Sequence, residues 1–257
     1  MEISQMKKQA TTPNAWQDLA TLMEANTKRV ILYGNAGTGK TYAGLTAGNP
    51  SNAFRLICSE EMTDADIVGN WEPNSTGKFS WREGSAIKAW RTGGRLVIDE
   101  IDKANGDVLA VLMAMTDTVE SSSWQNPETG EIVTPHEDYS VFMTTNVMQM
   151  SDLPTALIDR FPIALCITEP HPMALERLPE VYRETARTMA GAEGNERASM
   201  RAFLELVRLE AHIGRAEATR LIFGAEVAES LVNVWNIAEL ANREIAGVSD
   251  GDRVVMS

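Results

Sequence analysis

The sequence predicts an α/β fold, a parallel sheet flanked by helices and followed by a small all-helical region. Three features predict it. Short β-branched runs alternate with stretches of helical apolar spacing through the first two thirds of the chain. Leu96, Val97 and Ile98 form a continuous apolar run, as in a parallel strand buried on both faces. Beyond a cluster of prolines at Pro162, Pro170, Pro172 and Pro179, only helical spacing remains.

The elements follow in order. Residues 14–26 suit a short helix, and residues 28–33, KRVILY, suit a buried strand. Phe54 to Cys58 is a second strand candidate, and RLVIDE at 95–100 follows the turn signal Gly93-Gly94. Residues 105–119 show helical spacing after an Asn cap, and Asp102 stands where it could cap the same helix. Residues 121–139 are polar, with turn signals at Asn126-Pro127 and Thr129-Gly130, and suit a hairpin. Val141 to Asn146 and Ile163 to Ile167 complete the expected sheet. Helices are expected at 173–190, 199–213, 215–222 and 224–244, with a break at Gly191 to Asn195. The expected division is a large α/β domain over 1–168, a small helical lid over 169–246, and a tail over 247–257 with little core potential.

The 257 residues are 44% hydrophobic, enough for a substantial core. No apolar run is long enough to span a bilayer, so no membrane partner is expected. The first residues carry lysines without the apolar stretch of a secretory signal. Cys58 and Cys166 offer neither a disulfide framework nor a zinc-binding pair; both lie in short apolar runs and are expected to be buried thiols. These features suit a reducing, cytoplasmic setting. The net charge of −13 disfavours nucleic acid as the main partner, although Lys78, Arg82, Lys88, Arg91 and Arg95 form a modestly basic stretch. His136, His171 and His212 share no metal-ligand spacing.

The strand at 28–33 runs into Gly34-Asn35-Ala36-Gly37-Thr38-Gly39-Lys40-Thr41, which matches GxxxxGK[ST]. Glycines let the backbone turn so that its N–H groups face phosphate oxygens. The helix that begins near Gly39 presents its positive end to the same anion. Lys40 is placed for the β- and γ-phosphates, and the Thr41 hydroxyl for Mg²⁺. A chance match in a chain of this length is expected in roughly one sequence in a hundred.

The strand at 95–100 ends in Asp99-Glu100. Carboxylates at the carboxyl end of a parallel strand lie where such sheets bind ligands. Asp99 is placed to hold Mg²⁺ through its waters, and Glu100 to deprotonate an attacking water.

With these motifs, the sequence resembles the AAA+ P-loop ATPases, and within them the MoxR and dynein-related branch. Val68-Gly69-Asn70-Trp71-Glu72, Phe79-Ser80-Trp81, Gly84-Ser85-Ala86-Ile87-Lys88-Ala89 and Asp99-Glu100-Ile101-Asp102-Lys103-Ala104 stand in the order typical of that branch. The resemblance covers residues 14–170 well and the rest loosely. It implies ATP and Mg²⁺ as ligands. It implies that Asn146, after the run Val141 to Thr145, is the sensor that touches the γ-phosphate or the attacking water. It implies that Arg160, in Leu157-Ile158-Asp159-Arg160-Phe161, is an arginine finger offered to a neighbouring subunit, its bland alternative being an ion pair with Asp159. It implies that Arg201 is a second sensor at the start of a lid helix, with Arg197 as a rival.

The same resemblance implies a homo-oligomeric ring, expected to be a hexamer, acting on a protein client or through a von Willebrand factor A-domain adaptor. A nucleic-acid motor and a slow nucleotide-dependent assembly switch are the alternatives, and GTP use stays open beside ATP. Trp71, Phe79, Trp81 and Trp90 are expected to pack a core or an interface rather than to grip a client.

Overall fold

The structure is a computed structural model and describes residues 14–117, 121–192 and 194–251. The chain divides into two compact units. One comprises Met1–Asn35 with Gly39–Ile167, the other Ala36–Thr38 with Thr168–Ser257.

The first unit begins with α1 (Ala15–Glu24), β1 (Arg29–Tyr33), α2 (Lys40–Thr46), β2 (Ala53–Ile57) and α3 (Asp64–Val68). A hairpin of β3 (Gly69–Pro73) and β4 (Phe79–Glu83) precedes α4 (Ser85–Thr92), β5 (Arg95–Asp99) and α5 (Gly106–Met115). A second hairpin, β6 (Trp124–Gln125) and β7 (Ile132–Val133), precedes β8 (Ser140–Thr144), α6 (Thr155–Arg160) and β9 (Ala164–Cys166).

Among the described residues, β2, β5, β8, β1 and β9 form one sheet in that order, and every pairing in it is parallel. Alternation along the strands splits the core between its two faces. Val30, Leu32, Val97 and Phe142 pack with Trp16 and Leu19 of α1 and Ala43 of α2. Ile31, Leu56, Leu96, Ile98, Val141 and Met143 pack on the other face with Ile67, Ile87, Trp90, Val108 and Leu112. Helices thus cover both faces, which is why β5 and β8 are buried along their whole length.

The second unit contains α7 (Pro172–Glu176), α8 (Glu180–Gly191), α9 (Met200–Ile213), α10 (Arg215–Phe223) and α11 (Ala225–Gly251). Its own core gathers Leu175, Leu178, Tyr182, Phe203, Leu206 and Trp235. Tyr182 and Trp235 meet edge to face with ring centres 4.6 Å apart.

Several expectations needed revision. The helix expected at 173–190 is two helices, because Pro179 has no N–H to donate and takes the cap position of α8. The helix expected over 105–119 ends at Met115; residues 118 and 119 lie outside the described residues. Its cap is Asn105, whose side chain accepts from the Val108 N–H at 2.9 Å, whereas Asp102 accepts from the Thr145 hydroxyl at 2.7 Å. Cys58 is buried, but Cys166 is exposed because β9 is the short edge strand of the sheet. Trp90 is a core residue, and Trp81 packs between Trp71 and Trp124 with ring centres 5.7 and 5.9 Å away. Trp71 and Phe79, however, stay 46% and 66% exposed. The last helix runs on to Gly251, and residues 252–257 lie outside the described residues, as do residues 1–13.

Candidate active site

Strands β5, β8 and β1 are neighbours and run parallel, so their carboxyl ends meet at one edge of the sheet. At that edge β1 gives way to Gly34, β5 ends in Asp99, and β8 gives way to Thr145 and Asn146. Sequence-distant motifs converge here because of strand order alone.

Gly34 opens the glycine-rich loop with φ +111°, a conformation that side chains rarely adopt. A Cβ there would stand 2.7 Å from the Ile167 carbonyl oxygen, too close to fit. The loop therefore leaves β1 at an angle that requires glycine. Gly39, left-handed at φ 104°, caps α2, and Lys40 is the first residue of the helix.

Lys40 is buried, and its ammonium donates to the Gly34 carbonyl at 2.9 Å, the Asn35 carbonyl at 2.6 Å and Asn146 Oδ1 at 3.1 Å. A buried ammonium requires such acceptors. The lysine thereby fastens the loop to the segment after β8.

Thr41 donates its hydroxyl to both Asp99 oxygens at 3.0 Å. Asp99 is buried and also accepts from the Thr144 hydroxyl and the Arg55 guanidinium. Burial alone would raise its pKa. The hydrogen bonds from Thr144, Arg55 and Thr41 and the Arg55 charge outweigh burial and hold the carboxyl below its ordinary value. An ionised carboxylate beside a hydroxyl is an oxygen donor set suited to a hard divalent cation. The Arg55 guanidinium shows that this carboxylate takes a positive partner. Thr41 and Asp99 are therefore the residues that could hold Mg²⁺.

Glu100 adopts the left-handed conformation, φ 57° and ψ 43°, and its side chain is exposed. That backbone costs a non-glycine residue on the order of 1–2 kcal/mol, and such strain gathers at functional positions. The kink ends the strand directly after Asp99, so two adjacent carboxylates have opposite fates: Asp99 is buried and hydrogen-bonded, and Glu100 is open to solvent.

The remaining candidates lie apart from this cluster in their contacts. The Arg160 guanidinium donates to the Ala156 carbonyl at 2.9 Å and pairs with Asp117 at 3.4 Å, rather than with Asp159. Arg201 is exposed in the first turn of α9. Within the second unit, the Arg197 guanidinium donates to the Ala36 carbonyl, which belongs to the glycine-rich loop.

Arg55 was not anticipated from the sequence. It lies on β2, in register with Val97 of β5, and only that pairing brings it to Asp99. An arginine inside an apolar strand run was the one available signal.

The basic stretch anticipated at 78–95 is neutralised by ion pairs at two of its positions. Arg82 pairs with Glu72 at 3.0 Å, Arg91 with Glu83 at 2.8 Å and with Glu131 at 2.7 Å, and Arg95 is buried. No helix among the described residues is long and apolar enough to cross a membrane.

Residues 29–161, just over half of the chain, match the family described as AAA domain (dynein-related subfamily). An uncharacterised protein of Staphylococcus saprophyticus is 30% identical over 154 residues, covering 57% of this chain and 57% of that protein. Midasin of Dictyostelium discoideum is 29% identical over 143 residues, covering 52% of this chain and 2% of midasin. An uncharacterised protein of Staphylococcus epidermidis is 27% identical over 215 residues, covering 74% of this chain and 81% of that protein. The matched span runs from β1 through α6 and so contains the phosphate loop, Asp99, Glu100 and Asn146. On this match and this fold, the chain belongs to the dynein-related subfamily of AAA domains, a family of P-loop ATPases.

Proposed function

We propose that this chain hydrolyses ATP with Mg²⁺ as part of a ring of identical subunits, and that turnover remodels or activates a protein client, as in MoxR-like members of the family. The observation that carries the reading is the convergence of Lys40, Thr41, Asp99 and Asn146 beside the exposed Glu100.

In this reading the loop N–H groups and Lys40 bind the phosphates, with Lys40 exchanging its loop carbonyls for phosphate oxygens. Thr41 and Asp99 would hold Mg²⁺, which would supply positive charge to offset that of the phosphates. Glu100 takes the proton of the attacking water, for which its exposure at the strand end leaves access. Asn146 orients that water or the γ-phosphate while it remains in reach of Lys40. ATP rather than GTP follows from the family resemblance, and thermal-shift titration with each nucleotide separates them.

Ring assembly rests on the family, whose members generally form oligomeric rings. Arg160 is the proposed finger in trans, and on binding a neighbour's nucleotide it would leave Asp117 and the Ala156 carbonyl. Arg201 is the proposed second sensor, with Arg197 as its rival on the strength of the bond to Ala36. A nucleic-acid motor is disfavoured by the net charge and by the ion pairs that occupy Arg82 and Arg91.

Mixing two inactive variants tests the shared site. Arg160→Ala retains the phosphate loop, and Lys40→Ala retains the finger. Together they should regain hydrolysis at mixed interfaces, and no rescue at any ratio would contradict a finger acting in trans.

A further inference from the structure

The opposite edge of the same sheet carries a second feature, independent of the phosphate loop. Arg95 begins β5 and Ser140 begins β8, and the two are paired in register. Lys28 directly precedes β1. These amino-terminal strand ends line a cleft of about 300 Å³, together with Asn26, Thr27 and Ser51. That volume lies at the lower end for small-molecule sites.

Arg95 is 5% exposed, yet no carboxylate among the described residues pairs with it. Its Nε donates to Ser140 Oγ at 3.2 Å, and its Nη1 to the Gly44 carbonyl at 3.2 Å and to the Ala47 carbonyl. Its Nη2 makes a 3.6 Å contact with the Met23 sulfur, a weak acceptor. The guanidinium also lies over the Phe142 ring, 4.1 Å from its centre. A guanidinium has five N–H groups, and these contacts use four.

The bonds to Gly44 and Ala47 brace the carboxyl end of α2. Those carbonyls carry only partial charge, so they orient the guanidinium without neutralising it. Burial with no anionic partner lowers the Arg95 pKa to about 10, still well above neutral pH. A buried arginine therefore keeps a full positive charge at the wall of an open polar cleft. A structural brace alone does not require Lys28 at the same cleft; its ammonium lies 3.7 Å from Asp138, a long and half-exposed contact. Asp138 also lines the cleft and disfavours polyanions there.

We propose that this cleft is a binding site for a small oxyanion, a phosphate or carboxylate group, held by Arg95 and Lys28 with the hydroxyls of Ser140 and Ser51 beside them. The Arg95 guanidinium supplies a fixed charge and Lys28 a mobile point charge, a pairing that suits either group.

Equilibrium dialysis with radiolabelled inorganic phosphate tests it, at constant ionic strength. The Lys40→Met chain, its fold checked by circular dichroism, is used so that the phosphate loop is not counted. The expected result is saturable binding of one phosphate per chain. Lys28→Met, a rim substitution outside the core, should weaken it by about tenfold, and Arg95→Lys should weaken it as well. Competition by acetate and by glycerol phosphate at equal ionic strength distinguishes the two sources: stronger competition by acetate assigns a carboxylate, and stronger competition by the phosphate ester assigns a phosphate. Absence of saturable binding overturns the proposal, and so does binding that Lys28→Met leaves unchanged. If Arg95→Lys fails to fold, the Lys28→Met result decides alone.

Discussion

Lys40 Nζ donates to Asn146 Oδ1 across 3.1 Å, joining the phosphate loop after β1 to the turn after β8. The bond links two residues that are 106 positions apart in sequence. It exists because β1 and β8 are hydrogen-bonded neighbours in parallel register. Asn146 thus stands within reach of whatever Lys40 binds. Asn146→Ala should leave ATP affinity nearly unchanged and lower turnover by about tenfold or more, the loss expected for one positioned polar group at a reacting centre. Parallel titrations of binding and steady-state hydrolysis check this. A large loss of affinity with normal turnover would assign Asn146 to the loop's structure instead.

Arg55 and Mg²⁺ compete for the same carboxylate in the proposed mechanism. The Arg55 side chain is 44% exposed, so solvent screens its pull on Asp99. Arg55→Ala should therefore lower the Mg²⁺ concentration for half-maximal hydrolysis by only about threefold, consistent with a partly exposed ion pair. Magnesium titration of hydrolysis reads this directly. An increased Mg²⁺ requirement would show that Arg55 supports the metal site rather than competing with it.

The Gly34 position should tolerate no side chain. Its φ of +111° acts together with the Ile167 carbonyl oxygen, which would lie 2.7 Å from any Cβ at this position. Gly34→Ala should cost on the order of 1–3 kcal/mol in unfolding stability. Chemical denaturation measures it, and an unchanged midpoint would mean that the loop can leave β1 along another path.

What the sequence revealed, and what it hid, divides along one physical line. The phosphate loop, the apolar run before Asp99 and the Asn105 cap are local patterns, and they form where the local pattern places them. The strand runs at 28–33, 54–58 and 163–167 likewise became β1, β2 and β9 within a residue or two. Arg55 was hidden because its role depends on the register of β2 against β5. The exposure of Cys166 depends on β9 lying at the sheet edge, which an apolar run does not announce. The β3–β4 hairpin pairs Trp71 with Trp81 and Pro73 with Phe79, so one face is aromatic; composition showed the aromatics but not which would remain exposed. The break at Pro179 was legible in principle, because proline in a helix interior loses a hydrogen bond.

Glu100, turned out of β5 by its left-handed backbone, is the base in the proposed hydrolysis of a nucleotide held by Lys40 and Thr41. The direct measurement is single-turnover hydrolysis by Glu100→Gln alongside its ATP affinity. The expected result is near-normal affinity and hydrolysis slower by about 100-fold or more, as for loss of a general base. Hydrolysis near the unsubstituted rate would contradict that role for Glu100.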